Sequence, residues 1–316
     1  MTAIIDAVVI GRNEGARLLA CLSSLQGQVR RVIYVDSGST DASVPTARAA
    51  GAEVVALDMD QPFTAARARN AGLNALIKAP PTFVQLIDGD CVLASGWIAT
   101  GLATFSSRPA AVVVCGRRRE RFPEESVYNR MVDKEWNTPV GEAKACGGDA
   151  LVRFASVMSV GGFRDDLIAG EEPEMCLRLR RAGGTIWRID AEMTLHDAAL
   201  LRFGQWWIRM VRSGHAFAEG AELHGAAEER FWVTETRRAL LWGVVGPVAV
   251  IGAGLIHPLG LALALIYPAQ VVRLARRGGW AWGLLTVVGR FAEARGVLGY
   301  HFNHVLGRRR GLIEYK

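Results

Sequence analysis

Two aspartates separated by one glycine, Asp88-Gly89-Asp90, follow the strand-forming run Phe83-Val84-Gln85-Leu86-Ile87. Residues i and i+2 project from the same side of an extended backbone, and the intervening glycine lets a bulky anion approach. Hard divalent cations such as Mn2+ or Mg2+ take oxygen ligands, commonly one or two carboxylates together with substrate phosphates. The triplet therefore suits metal and phosphate chemistry. It is also ordinary turn chemistry, so its surroundings must decide. A second acidic pair, Glu171-Glu172, precedes Pro173 and opens a helical pattern. Acidic side chains there complement a helix dipole.

The elements that must position these residues can be read from the apolar periodicity. Strands are expected at Ile4 to Ile10, Arg31 to Asp36, Glu53 to Leu57, Phe83 to Asp88 and Ala110 to Cys115, with helices between them. That alternation predicts a mostly parallel sheet covered on both faces, with ligands beyond the carboxyl ends of its strands. Asp36, Asp88 and Asp90 all fall at such ends. Their carboxylates would repel one another unless a cation or hydrogen-bonding ligand sat among them. Gly11 and Gly15 do not fit the spacing of a dinucleotide-binding glycine turn, which weakens an oxidoreductase reading. The arginine-rich stretch from Gly116 to Lys144 reads as an excursion against the sheet edge. Further strands are expected at Asp149 to Phe154 and Thr185 to Ile189, the latter followed by His196.

Five scattered cysteines form no CxxC pair, so neither a disulfide framework nor a zinc site is expected, and the catalytic part suits a reducing, cytoplasmic setting. The N-terminus has no basic flank and Asp6 interrupts its apolar run, so no signal peptide is expected.

Taken in order, Val9-Ile10-Gly11-Arg12-Asn13-Glu14, Val35-Asp36-Ser37-Gly38-Ser39-Thr40-Asp41, Ala68-Arg69-Asn70-Ala71-Gly72, Asp88-Gly89-Asp90, Gly161-Gly162-Phe163 and Glu171-Glu172-Pro173-Glu174 resemble the family 2 glycosyltransferases, over residues 1 to about 200. The resemblance implies a GT-A fold and inverting sugar transfer from a nucleoside-diphosphate-sugar, either a UDP- or a GDP-sugar. It assigns Asp36 to the nucleotide base, and Asp88 and Asp90 to ribose, diphosphate and a Mn2+ or Mg2+ ion. Asn13, Glu14 and Arg69 join them on the donor side. The catalytic base falls at Glu172, where glutamate replaces the usual aspartate, with Glu171 as the other candidate. His196 resembles a histidine that some members use as a further metal ligand. Gln205-Trp206-Trp207-Ile208-Arg209 departs from the Gln-x-x-Arg-Trp order of processive synthases. Trp206, Trp207, Arg209 and Arg212 are candidates for the acceptor side, with core packing open for the tryptophans.

Half of the 316 residues are hydrophobic and the net charge is +6, which fits a protein touching water and lipid. Ala239 to Val272 is a stretch of 34 residues without Asp, Glu, Lys or Arg, interrupted by Pro247, His257-Pro258 and Pro268. It allows two crossings of about minimum length, and the arginines at both ends place those ends on the cytoplasmic side, as a hairpin or a re-entrant pair; a buried helical hairpin in a soluble core is the competing reading. Trp280 to Val288 is too short to span, and with Arg308-Arg309-Arg310 it suggests an interfacial helix and a basic tail. The expected layout is a GT-A domain over 1–225 and a membrane-associated helical region over 226–316. Its partners would be the donor, a polyprenyl-linked acceptor and membrane lipids, with no nucleic acid. A nucleotidyltransferase would differ by releasing pyrophosphate, and a non-catalytic nucleotide-sugar sensor by binding donor without turnover.

Overall fold

The computed structural model describes residues 3–308 and 311. Contacts divide the chain into two compact units, Met1–Glu125 with Val132–Ala199, and Ser126–Met131 with Leu200–Lys316. The helix expected at the end of the first domain therefore lies with the second unit.

The first unit is built on a nine-stranded sheet: β1 (Ile5–Gly11), β2 (Val32–Asp36), β3 (Glu53–Ala56), β4 (Phe83–Asp88), β5 (Cys91–Leu93), β6 (Ala111–Glu120), β7 (Gly141–Glu142), β8 (Ala150–Arg153) and β9 (Thr185–His196). The order is β3-β2-β1-β4-β8-β6-β9-β5, with β7 on β9. Strands β3, β2, β1 and β4 run parallel, whereas β8 enters antiparallel to both β4 and β6. Helices α1 (Ala16–Leu25), α2 (Ser43–Ala49), α3 (Ala65–Ala75), α4 (Trp97–Ser107), α6 (Phe154–Ser159) and α7 (Glu171–Arg181) belong to this unit, and α5 (Val127–Trp136) begins in the other. Strand β1 is almost wholly apolar and buried because helices shield both faces of a parallel sheet. Its one charge, Asp6, is met by Arg30 at 2.6 Å and Arg31 at 3.0 Å.

Helix α3 begins at Thr64, whose side chain accepts the Arg67 amide. It lies so close to the sheet that a Cβ on Gly72 would stand 2.3 Å from Val8 Cγ1. This approach aims the helix and its Arg69. The next residue, Asn70, donates to the Phe163 carbonyl at 2.8 Å and accepts the Phe163 amide at 2.9 Å, so two separate sequence motifs lock together.

Arg117, Arg118 and Arg119 do not leave the sheet. Residues 117–120 continue β6 beside β9, so the excursion expected from Gly116 starts only after Glu120. Likewise β9 runs on past Ile189 to His196.

In the second unit, α8 (Phe203–His224) packs on α12 (Trp280–Val305) through small residues: Gly214 meets the Glu293 backbone, and Gly296 the Val211 carbonyl. Trp280 to Val288, read above as a short interfacial piece, is the start of this 26-residue helix. Two further helical stretches, Val233–Ile256 and Pro258–Gly278, are long and apolar enough to cross a membrane by length and composition. They contain α9 (Val233–Leu240), α10 (Gly246–Ile256) and α11 (Ile266–Gly278), and fold back at His257-Pro258, where Gly260 abuts Ala253. Of the expected basic tail, Arg309 and Arg310 lie outside the described residues.

Because Val8 is β-branched and held in the sheet, Gly72→Ala overpacks the α3 contact despite alanine's better helix propensity. We expect a loss of about 1–3 kcal/mol in unfolding free energy by chemical denaturation.

Candidate active site

The parallel register aligns the strand ends: Gly11 lies beside Asp36 on one side, and Ile10 beside Asp88 on the other. Two strand spacings, about 10 Å, therefore separate the backbones of Asp36 and Asp88. Gly89 fits beneath Glu14, since a Cβ there would meet the Glu14 side chain and the Ile10 carbonyl, both at 3.2 Å. Antiparallel β8 brings Asp149 to the same rim, where its carboxylate accepts the Asp88 amide at 3.1 Å and the Thr194 hydroxyl at 2.8 Å.

Asp88 is gripped from two sides. Arg69 reaches one oxygen at 2.8 Å and Arg118 the other at 3.3 Å. Arg69 also holds Glu171 at 2.7 Å, and Arg118 lies 3.5 Å from Asp149. Burial pushes the Asp88 carboxyl upward, but the two guanidiniums outweigh it and leave its pKa below the ordinary carboxylate value. Burial would likewise lower both arginines, and the surrounding carboxylates reverse the sign for each. Trp136 stacks on Arg118 at 4.9 Å and meets the His196 ring edge-on at 4.8 Å.

Asp90 is buried beside His196, with 3.3 Å between its Oδ1 and the ring Nε2. Ligand atoms of Asp88, Asp90, Cys91 and His196 all lie within 4.8 Å of one another. Carboxylate oxygens with an imidazole nitrogen suit Mn2+ or Mg2+. The Cys91 thiol, pushed well up by burial, suits such an ion poorly. Around this point Asp88, Asp90, Asp149 and Glu171 face Arg69 and Arg118, a formal surplus of two negative charges. A dication matches that surplus.

Glu172 turns toward a neighbouring loop. Its Oε1 accepts the Cys146 amide at 2.6 Å and the Cys176 thiol at 3.0 Å, and its Oε2 accepts the Gly147 amide at 3.1 Å. Gly147 and Gly148 have positive φ, and a Cβ on Gly148 would stand 3.2 Å from Arg118 and 3.6 Å from Arg69. The loop thus joins Glu172 to the arginines. On the other flank Asp36 accepts the Gly38 and Ser39 amides, while Asn13 exchanges bonds with Ser39 and Thr40. Their direct role here is to hold two loops in register.

The sequence profile of glycosyl transferase family 2 matches residues 6–166. The chain belongs to glycosyl transferase family 2. Its first unit is a glycosyltransferase domain of the GT-A fold. The pre-mycofactocin glycosyltransferase of Mycobacterium tuberculosis is 27% identical over 206 residues, 61% of this chain and 42% of that protein. The chain thus spans about two fifths of the length of the curated relative it matches. In fold it resembles mannosyltransferase PcManGT from Pyrobaculum calidifontis, solved with GDP-Man and Mn2+, with a TM-score of 0.64 at 18% identity over 94% of this chain and 88% of that one. S. aureus TarS 1-349, solved with UDP-GlcNAc, gives a TM-score of 0.52 at 14% identity over 96% and 92%.

Within this family 2 domain, the structure joins Arg69, Asp88 and Glu171 directly and sets Asp90 against His196, with Glu172 one loop away. On α8 of the second unit, Trp206 is wholly buried against Met131 and Leu285 and takes the core-packing role. Trp207, Arg209 and Arg212 are half-buried on the same helix. Sequence reasoning missed Arg118, Asp149 and Gly147-Gly148. The signals available were an arginine inside an extendable strand pattern and a Gly-Gly-Asp before a strand.

The Arg69–Glu171 pair has little water to fall back on. Arg69→Met should cost about 3–5 kcal/mol in urea denaturation, since it strands two carboxylates. Glu171→Gln should cost less, and the double variant less than the sum, by about 1 kcal/mol or more of coupling. Strict additivity would show that the two residues do not act as a pair.

Proposed function

We propose that this chain transfers a sugar, with inversion, from a nucleoside-diphosphate-sugar to an acceptor, with a polyprenyl-linked saccharide as the favoured acceptor class. The observation that carries this reading is the cluster of Asp88, Asp90 and His196 ligand atoms at the strand rim, within 4.8 Å of one another and beside Arg69 and Arg118. GDP-Man with Mn2+ and UDP-GlcNAc, the ligands of the two structural neighbours, are of the same chemical class.

Asp90 and His196, with Asp88, are the residues that would hold Mn2+ or Mg2+. Once bound, such an ion neutralises charge on the leaving diphosphate. Arg69 and Arg118 add fixed positive charge at the same rim, in a setting that excludes water. Asp36, Asn13 and Glu14 shape the loops on the side assigned to the nucleotide. Glu172 takes the proton of the acceptor hydroxyl as that oxygen bonds to the anomeric carbon, while the bond to phosphate breaks and its electron pair leaves with the nucleoside diphosphate. One displacement inverts the centre. Glu172 Oε1 accepts two bonds, whereas Oε2 accepts only the Gly147 amide and keeps a second lone pair, so proton acceptance there does not require loss of the loop.

For the second unit we propose membrane attachment through the Val233–Ile256 and Pro258–Gly278 hairpin, with the sugar-transfer domain on the cytoplasmic side. Arg237 and Arg238 in the opening turns of the first helix and Arg276 and Arg277 at the end of the second favour that orientation. Trp207, Arg209 and Arg212 are proposed for the acceptor side.

Donor screening by thermal shift, with and without Mn2+, tests the reading first, because a ligand bound only by the native state raises the melting temperature. A UDP- or GDP-sugar should stabilise the full chain more with Mn2+ present. Asp90→Asn should fold normally and lose turnover by about 100-fold or more. Glu172→Gln should lose turnover while calorimetry shows donor affinity kept. Near-normal turnover of Asp90→Asn in Mn2+, or release of pyrophosphate instead of nucleoside diphosphate, would overturn the scheme.

A further inference from the structure

Three buried side chains from one loop and one helix meet beside the strand rim. Cys176 lies four residues after Glu172 on α7 and therefore shares its face. Cys146 comes from the loop before β8, thirty residues earlier in sequence than Cys176, a spacing that forms no metal motif. Their sulfurs stand 3.9 Å apart, Cys176 Sγ is 3.0 Å from Glu172 Oε1, and the three ligand atoms lie within 4.8 Å of one another.

Two uses of such a thiol pair can be compared by distance. A disulfide needs the sulfurs at about 2.05 Å, so loop and helix would have to close by nearly 2 Å. Tetrahedral Zn2+ with Zn–S bonds of about 2.3 Å places two sulfurs about 3.8 Å apart. The observed 3.9 Å separation already matches the second case. The carboxylate is also prepared for it. Its Oε1 accepts the Cys146 amide and already lies 3.0 Å from the Cys176 sulfur. Thiolate ligands prefer borderline and soft ions, whereas the oxygen-rich Asp88, Asp90 and His196 group suits hard ones. The two clusters thus differ in ion preference.

We propose that Cys146, Cys176 and Glu172 form a second cation site, selective for ions of the Zn2+ and Cd2+ class, whose occupancy removes Glu172 from the acceptor and inhibits transfer. The inhibitory part rests on the reading of Glu172 as proton acceptor; the site itself does not. On binding, both thiols release their protons to solvent, and the ion bonds to two sulfurs and one carboxylate oxygen. This revises the expectation that the cysteines make no zinc site.

Cd2+ is the direct probe, since cadmium–thiolate charge transfer absorbs in the ultraviolet. The full chain in detergent, stripped of metal and kept reduced with a phosphine, is titrated with CdCl2. One Cd2+ per chain should develop the band in wild type. Cys146→Ser should weaken binding by at least about tenfold, the lower bound for losing even an outer partner of a metal ligand. The Cys146→Ser/Cys176→Ser double variant should abolish the band. Should serine at the wholly buried position 176 prevent folding, Cys176→Ala replaces it. No band in folded wild type, or an undiminished band in the double variant, overturns the site. Zn2+ added to Mn2+-supported reactions should inhibit wild type and spare the double variant; equal inhibition of both overturns the inhibitory role. If no donor is turned over at all, the function proposed above fails while the Cd2+ titration still decides the site.

Discussion

The first unit depends on one half-buried carboxylate held by two guanidiniums. Asp88 ends β4, Arg69 comes from α3 and Arg118 from β6, and the same arginines reach Glu171 on α7 and Asp149 before β8. Five elements from distant parts of the chain thus share one charge network. Taking such groups out of water is expensive, and the cost is offset only when every member keeps its partners. The network is therefore exacting about geometry. Gly148 sits where a Cβ would crowd Arg118 and Arg69, while Gly72 lets α3 close on Val8 and Gly89 lets the Asp88 turn close on Glu14. Each lets backbone approach where a side chain would hold it away.

Much of this was legible in the sequence, and the parts that were not share a cause. Strand ends can be read because apolar runs stop at polar residues, and Asp36, Asp88 and Asp90 stand at such ends. Arg117, Arg118 and Arg119 were misread because periodicity expects a strand's polar side chains on a solvated face. Here Arg117 pairs with Asp133, Arg118 with Asp88 and Arg119 with Glu192, three partners in three directions. Asp149 and the Gly147-Gly148 turn escaped because β8 runs antiparallel between strands of other orientation, a topology that local pattern does not encode. The same limit hid the partner of α12, whose small-residue stripe acquires meaning only against α8.

The two acidic residues opening α7 are adjacent in sequence but differ in surroundings. Glu171 belongs to the arginine network and Glu172 to a thiol and two backbone amides. Their division resembles the general way in which neighbouring carboxylates acquire separate roles from separate environments. The loop of Cys146 to Gly148 is the hinge of that division, since it touches Glu172 through its amides and lies against Arg69 and Arg118 through Gly148.

In the second unit, the turn between the two long apolar helical stretches is closed by its own side chain: Nδ1 of His257 accepts the Leu259 amide at 3.2 Å. Backbone donors at a helix start ordinarily look to water, and a medium without water leaves them stranded. A tip that carries an internal acceptor loses less on leaving aqueous solvent. The imidazole thereby makes this turn of the hairpin more tolerant of dry surroundings.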